Sequence, residues 1–437
     1  MRCLAAGIFV ALWCSTSAAQ SDLANGVAVT ERKDDPAAVR GRKNKPDAGA
    51  GAAWVPRILF APITLVTEFG IRQPTNAIAD WSVRNHVPEI ISDIVLKPTP
   101  DIRWYPLVSM DVGYYYAAGA AIEFDNLLVR DHTFKLQTLV GGPDFFQVVA
   151  RDTWKAGLFH LSLNGRGFTR SDRAFYGFGP YSNDVKTNFA QTRFEGFATA
   201  ALDVKNHLHL AASEGFRSDR NAPGPSPSIE SLFTTASIPG FSGTDLAMAM
   251  FDARLDSRHD VEDTSGGVRL AANVTYGRDV HDSERSFVST RADLEAAIEV
   301  MKPDRVLTFR GFVSDSVPLG TEPVPFLEQS MLGWENHNGF HWGRFRDNSA
   351  VMFEVRYRYP IAYFIDMQWG VSVGNVFAKD FSDFDAKAMT TSITVGFRTR
   401  RTGRTPLRLL VGVGTTRFDQ AFNIESVRLY VSNAEDL

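Results

Sequence analysis

The residues that come nearest to a catalytic arrangement lie in the stretch FHLSLN, residues 159–164. Successive side chains of a strand point to opposite faces, so His160, Ser162 and Asn164 would share one face. Nucleophilic catalysis would need the imidazole within hydrogen-bond reach of the hydroxyl and a third group to orient it. The apolar residues of the stretch occupy the other face, so the polar three are predicted to line a wet interior. Lipid hydrolysis at Ser162 remains the enzymatic alternative.

A second candidate is the pair His207 and His209, which could share a strand face and bind a metal ion. Zinc sites in proteins need three or four ligands, and no carboxylate or third histidine is expected beside this pair. No glycine-rich phosphate loop follows a strand to open a helix, and no nucleophile elbow occurs. We therefore predict no catalytic site, no metal site and no cofactor.

Charge and hydropathy exclude several other classes of protein. The chain has 437 residues, of which 44% are hydrophobic and 22% charged, with a net charge of -4. This length suits one large or two medium domains, and the near-neutral balance leaves no basic footprint for nucleic acid. After the first twenty residues no apolar run is long enough for a transmembrane helix. A membrane barrel stays possible, because its strands show only alternation over about ten residues.

Residues 1–19 are typical of a cleaved signal peptide. Arg2 precedes an apolar core that is too short to span a bilayer, and small residues form the cleavage site. Cys3 and Cys14 both lie in this segment. The mature chain is therefore expected to contain no disulfide and no thiolate metal site, as suits an exported protein held together by a continuous sheet.

Two further segments are predicted ahead of the strands. Residues 20–55 are poor in large apolar side chains and are predicted to form a disordered periplasmic tether. Residues 56–100 are predicted to form a short helical element, in which Asn76 could cap a helix and Pro88 could kink it. Residues 101–437 are predicted to form the remaining domain.

Short alternating runs recur from about Tyr114 to the C-terminus, separated by turn-forming residues. About fifteen such runs occur, the first at residues 116–126 and the last at 427–431. An antiparallel barrel favours an even number of strands, so we predict about sixteen. One apolar face is kept from run to run, as in Leu409 and Val411 against Arg408. The pattern favours an all-β fold, a transmembrane antiparallel β-barrel with a short N-terminal helical element, over a secreted β-sandwich.

The stretch at residues 331–361, MLGWENHNGFHWGRFRDNSAVMFEVRYRYPI, joins a long loop rich in glycine and arginine to a strand. In the strand, apolar and aromatic residues such as Phe353 alternate with Glu354 and Arg356, so one face is apolar and the other charged. A soluble sheet with one wet face would alternate in the same way. The loop favours a membrane barrel, because it could fold into a polar lumen and contact strand charges.

The same stretch resembles the bacterial surface-antigen outer-membrane barrels, the superfamily of the barrel-assembly insertase and the two-partner secretion transporters. These barrels carry an inward-folded loop with an Arg-Gly-aromatic tip, followed by a strand that reads roughly Glu-x-Arg-Tyr-Pro. Gly339 and Phe340 match the last two positions of the tip. The strand is matched by Glu354, Arg356 or Arg358, Tyr359 and Pro360.

Weaker matches follow in the order and spacing of the family and extend the resemblance from about residue 106 to the C-terminus. The segment ahead of them is too short for the docking domains that usually precede such barrels. The weaker matches are residues 173–179 (RAFYGFG), 256–258 with 260 and 266–267, 325–326 with 332–333, and 403 with 407–409.

The chain departs from the family at two linked positions. Asn338 replaces the tip arginine, and Ser372 replaces the aspartate that pairs with it. Losing both together avoids a lone buried charge. A hydrogen bond between Asn338 and Ser372 could keep the loop docked, or the loop arginines could take over against Glu354 or Asp347. The predicted loop and lumen contacts are Arg344, Arg346, Asp347, Glu354, Arg356 and Ser372.

A third departure is at the C-terminus, where Tyr430 is followed by Val431 and a polar tail. Outer-membrane strands usually finish on an aromatic residue that the assembly machinery recognises. Recognition of this chain by that machinery is correspondingly less secure.

The resemblance implies a monomeric barrel in the outer membrane of a Gram-negative bacterium. It would insert or translocate polypeptide, or lipid, through a lumen gated by the loop. The expected partners are outer-membrane lipid, client polypeptides and the barrel-assembly machinery, with no nucleic acid. A passive pore or structural barrel is the first alternative, favoured by the missing docking domains and tip arginine. An outer-membrane lipase is the second.

Overall fold

The computed structural model describes residues 101–204, 207–258, 266–300, 305–362, 365–399 and 407–432. The predicted signal peptide, tether and helical element, residues 1–100, lie outside the described residues. Within the described part, no helix is long and apolar enough to cross a membrane.

The described chain is built almost entirely from strands, with a few single 3-10 turns between them. In chain order the strands are β1 (Ile102–Asp111), β2 (Ala117–Asp125), β3 (His132–Gly141), β4 (Phe145–Ala156), β5 (Phe159–Phe175), β6 (Thr187–Val204), β7 (Leu208–Pro223), β8 (Thr244–Asp256), β9 (Gly267–Asp279), β10 (Ser286–Glu299), β11 (Val306–Pro318), β12 (Ser330–Leu332), β13 (Phe345–Asp347), β14 (Ser349–Ala362), β15 (Ile365–Phe377), β16 (Thr390–Thr399), β17 (Arg408–Thr415) and β18 (Ile424–Ser432).

Sixteen of these strands close into one antiparallel barrel. Each pairs with its neighbour in sequence, except that β11 pairs with β14 and β1 closes the barrel against β18. The remaining two, β12 and β13, form a separate hairpin inside the long connection between β11 and β14. The predicted all-β barrel of about sixteen strands is confirmed.

Alternation along β5 shows why the sequence folds into a closed wall. Phe159, Leu161 and Leu163 point outwards and are 64%, 50% and 48% exposed, while the polar residues between them point into the lumen. Exposed apolar surface costs about 25 cal/mol per Å² in water. An outer band of this kind is stable in lipid, with a polar lumen inside.

The two ends of the barrel differ in their connections. Because the strand number is even and all pairs are antiparallel, the start of β1 and the end of β18 lie at one end, which we call the termini end. The longest connections, 176–186, 224–243, 319–348 and 378–389, all lie at the opposite loop end. Buried aromatic residues fill the loop end, where Phe175, Phe189 and Phe326 form one cluster.

Strand β1 was not among the predicted strands, which began at residue 116. It contains Pro106, which cannot donate a ladder hydrogen bond and usually marks an edge strand. In the barrel, β1 pairs with β2 from Ile102↔Phe124 to Ser109↔Ala117 and, within the described residues, with β18 from Ser109↔Ser432 to Asp111↔Tyr430. We call the β1–β18 pairing the seam.

Candidate functional site

The connection 319–348 folds into the lumen from the loop end, and we call it the inward loop. Its hairpin pairs β12 with β13 in register Ser330↔Asp347 to Leu332↔Phe345. Apolar loop side chains pack against the inner faces of β11, β14 and β15. This cluster contains Phe312, Leu332, Phe340, Phe345, Ala350, Met352 and Val376.

Phe340 is the apolar anchor at the tip of the loop and is fully buried. Its ring stacks on His337 at 4.7 Å between centroids and meets Phe345 edge-on at 4.9 Å. On the other side it faces Gly414 of β17, where an added Cβ would lie 2.5 Å from the ring. The wall therefore has room for Phe340 because β17 carries a glycine opposite it.

Gly339 brings the loop backbone against the backbone of the wall. Its N–H donates to Ser392 Oγ on β16 at 2.6 Å, and its carbonyl oxygen accepts from Ser426 Oγ on β18 at 2.6 Å. A Cβ at this position would lie 2.5 Å from the Val413 carbonyl oxygen. A larger residue at the tip would therefore push the loop off the wall.

His337 docks the loop through both ring nitrogens and was not singled out from the sequence. Nδ1 lies 2.8 Å from Ser372 Oγ on β15, and Nε2 lies 3.0 Å from Thr390 Oγ1 on β16. Because the Thr390 hydroxyl donates to the Gly374 carbonyl, Nε2 must carry the imidazole proton and Ser372 must donate to Nδ1. Burial lowers the pKa of His337 to about 3, so the ring is neutral.

The expected hydrogen bond between Asn338 and Ser372 is therefore wrong, since Ser372 bonds to His337. Asn338 is half-buried and contacts the wall through its carbonyl oxygen, which accepts from Arg428 at 3.4 Å. The resemblance to the family tip pointed to Asn338, whereas the residue that docks the loop is the preceding one, His337.

Arg344 and Arg346 are both buried, but neither pairs with Glu354 or Asp347 as expected. Arg344 donates to Glu425 of β18 and, at 2.8 Å, to Asp184 in the connection after β5. The reason is position, because the loop arginines lie at the loop end whereas Glu354 points into the lumen lower on β14. There Glu354 accepts from Arg356 of the same strand at 2.6 Å.

Among the described residues, Arg346 forms no ion pair with a carboxylate. It donates to the Phe326 carbonyl oxygen, and its guanidinium lies 5.2 Å from the Phe326 ring and 5.4 Å from the Trp342 ring. Burial lowers the pKa of Arg346 to about 10. The adjacent Asp347 accepts from the Asn348 N–H at 2.7 Å, and burial raises the pKa of Asp347 to about 6.

Arg428 on β18 joins the loop tip to the seam. Its Nε lies 3.0 Å from both carboxylate oxygens of Asp111 on β1, and its side chain is 1% exposed. The guanidinium also lies 4.4 Å from the ring of Trp334 in the loop and 4.9 Å from Tyr430. Together with the contact to Asn338, one side chain touches both edges of the seam and the loop tip.

The residues considered for catalysis do not assemble into a hydrolase. His160 Nε2 lies 3.0 Å from Asp203, whereas Ser162 Oγ accepts from Asn164 at 3.2 Å. His209 also binds Asp203, a carboxylate from neighbouring β6 that sequence spacing around the histidines had not indicated. His207 contacts a backbone carbonyl instead. Among the described residues, no three His, Cys, Asp or Glu side chains are placed to hold a metal ion.

Comparison with solved structures places the barrel among outer-membrane folds. BamA from Haemophilus ducreyi lacking POTRA domains 1-3 is similar with a TM-score of 0.56 and 14% identity, over 77% of this chain and 71% of that chain. CdiB from Acinetobacter baumannii is similar with a TM-score of 0.52 and 10% identity, over 76% of this chain and 60% of that chain. No protein-family model and no curated protein sequence matches.

These two matches agree with the superfamily that the sequence resembles, and the barrel fold expected from that resemblance is confirmed. At such low identity the likeness concerns the fold. The chain spans only 60% of the length of CdiB, so the activity of the whole of that protein does not transfer with the barrel.

Proposed function

We propose that this chain is an outer-membrane barrel that inserts or translocates polypeptide, with the inward loop controlling its lumen and its seam. The observation that carries the proposal is the contact of Arg428 with Asp111 across the seam and with Asn338 at the loop tip. Undocking of the loop would remove the Trp334 and Asn338 contacts of that arginine. The loop is therefore in a position to control how firmly the barrel is closed.

The seam is the pairing at which the barrel closes, between its first strand and its last. Its described register runs from Ser109↔Ser432 to Asp111↔Tyr430. No turn joins β1 to β18, so these two strands can separate without breaking a connection, at a cost of about 0.5–1.5 kcal/mol net for each backbone hydrogen bond. The freed strand edges would then be able to pair with a strand of another polypeptide.

The comparisons support the class of barrel, since BamA and CdiB structures share the fold. The apolar outer band supports a membrane location, and the resemblance supports the outer membrane as that location. Client polypeptides and the assembly machinery are the partners that follow from this proposal.

A crosslink across the seam tests the proposal. The mature chain is expected to lack cysteine, so Ser109→Cys with Ser432→Cys would place one thiol pair on directly opposed residues. The matched control, Ser109→Cys with Ala117→Cys, would join β1 to its other neighbour, β2. The assay is the rate at which an unfolded small β-barrel polypeptide inserts into phospholipid vesicles that contain each protein, measured by heat-modifiable migration.

We expect the reduced proteins and the oxidised control to accelerate insertion, and the oxidised seam variant not to do so. Equal acceleration by the oxidised seam variant would show that the seam does not open during insertion. Absence of acceleration by every form would exclude insertase activity.

A passive pore is the second candidate, favoured by a polar cavity of about 860 Å³ in the lumen beneath the loop. Removal of residues 333–344 would then raise the conductance of the barrel in planar bilayers, while client insertion would be absent in all variants. Equal conductance with and without the loop would contradict a lumen closed by the loop.

A further inference from the structure

Two adjoining polar cavities lie in the lumen beneath the inward loop, on the side of the termini end. Their volumes are about 860 and 240 Å³, and both are lined by Arg269, Arg310 and Glu335. We call the two together the vestibule. In the larger cavity the apolar lining consists of alanines alone, and the remaining lining residues are charged, amide, imidazole or hydroxyl side chains.

The lining of the vestibule is rich in arginine although the chain as a whole is slightly acidic. Nine arginines and four carboxylates line the two cavities, whereas the whole chain carries 46 basic and 50 acidic residues. Part of this charge is compensated within the wall, for example where Arg310 lies 2.6 Å from Asp293. Another part is compensated by the loop, where Glu335 lies 2.8 Å from Arg408.

Arg254 and Arg291 face the cavity without a direct ion pair to a described residue. Within the described part of the chain neither makes an ion pair, and the ring of Phe312, at 4.8 Å, is the contact that Arg291 does make. They lie on the inner faces of β8 and β10, so both guanidinium groups are directed at the same part of the lumen. Unpaired cations in a space with low-dielectric walls focus a positive potential that attracts anions.

The shape and chemistry of the lining distinguish between kinds of anion. A lipid would bring acyl chains, and the larger cavity offers no large apolar side chain to receive them. An extended acidic peptide would place carboxylates on the arginines and main-chain amides on hydroxyl and amide side chains such as Ser213 and Asn273. We propose that the vestibule binds acidic, extended polypeptide segments.

This inference rests on the proposed function, since it names the class of polypeptide segment that the same lumen would receive. It is tested by fluorescence anisotropy with the refolded mature chain in detergent. The probe is a fluorescein-labelled hexaglutamate, compared with hexaglutamine and hexalysine of the same length. Unlabelled tripolyphosphate is added as a competing anion that is not a peptide.

The test variant is Arg254→Gln with Arg291→Gln. The matched control is Arg130→Gln with Arg278→Gln, which removes the same charge from an exposed turn and from the outer face of β9. Heat-modifiable migration of both variants establishes that each is folded. We expect hexaglutamate to bind in a salt-dependent manner, at least tenfold more weakly to the test variant, and with unchanged affinity to the control.

Equal binding of hexaglutamine, or unchanged binding to the test variant, would overturn the inference. Binding of tripolyphosphate with no binding of hexaglutamate would assign the vestibule to phosphate and also overturn it. Failure of the proposed function is distinguishable. In that case the oxidised seam variant would insert clients normally or no form would insert them, while hexaglutamate binding and its loss in the test variant would remain.

Discussion

The two ends of the lumen are held in different ways. At the loop end, aromatic rings, hydrogen bonds and paired charges fill the space, and His337, Gly339 and Phe340 bring the loop against the wall. Beneath the loop, arginines such as Arg291 line an open cavity that extends towards the termini end. Close packing closes one end, and fixed charge with open volume characterises the other. The difference teaches that one part of the barrel closes the lumen, whereas another part attracts a ligand.

The largest effect is expected from Phe340→Ala at the packed end. Removing a fully buried ring costs about 3–5 kcal/mol, so the docked loop would be greatly weakened. Trypsin digestion measures this, because Arg344 and Arg346 are 3% and 1% exposed and become cleavable when the loop is released. Phe422→Ala, at a side chain that is 77% exposed, is the control. Unchanged loop cleavage in Phe340→Ala would remove the distinction between the two ends.

Arg428→Gln is expected to weaken the seam by about 3 kcal/mol, because it leaves the Asp111 carboxylate buried without its partner. Hydrogen exchange of the amides of residues 109–111 measures the effect. Adding Asp111→Asn would recover part of the loss, since no lone charge then remains. Arg220→Gln breaks an ion pair whose arginine is 56% exposed and should alter exchange very little. Slow exchange in Arg428→Gln would show that backbone pairing alone closes the seam.

Acid should undock the loop through His337. The undocked imidazole takes a proton near pH 6.5, whereas the docked one stays neutral down to about pH 3. Docking therefore weakens as the pH falls below 6.5, by about 1.4 kcal/mol per pH unit. The raised pKa of Asp347 acts in the opposite direction between about pH 4 and 6, so the measurement uses an Asp347→Asn background.

Trypsin is inactive at low pH, so loop opening is measured instead by pepsin cleavage of the loop at pH 5 and below. His337→Gln, which does not titrate, is the control. Cleavage that rises equally with acid in both proteins would show that another group undocks the loop.

The smallest effect is expected at the open end. Arg291→Gln removes a lumen cation with no carboxylate partner among the described residues, so stability should change by less than about 0.5 kcal/mol. Denaturant unfolding of the refolded barrel measures it. A loss of more than 1 kcal/mol would mean that the open end also depends on its charges for stability.

Much of the fold could be predicted because lipid and lumen impose a two-residue period on every strand. Phe159 to Asn164 already shows that period in the sequence, and the structure follows it. Strand β1 escaped prediction because Pro106 interrupts the pattern that was sought. The hairpin of β12 and β13 escaped because strands of three residues carry no period.

The site was predicted less completely, for a different reason. Phe340 is marked by its size and by the tip motif, but the partners of Arg428 and His337 are set by tertiary contacts. Arg428 lies 317 residues from Asp111 along the chain, and His337 lies 53 from Thr390. No spacing rule links residues so far apart in the chain. From the sequence alone, Arg428 therefore cannot be distinguished from the other arginines that face the lumen.

His337 contacts β15 and β16, and Gly339 contacts β16 and β18, so the docked tip binds three strands of one arc of the wall. The loop therefore holds the inner faces of these strands at fixed positions relative to one another and so fixes the curvature of this part of the wall. With the loop undocked, hydrogen bonds between adjacent strands would still preserve the circumference of the barrel, but they would no longer fix the shape of its cross-section. Undocking would then leave the cross-section of the barrel free to deform.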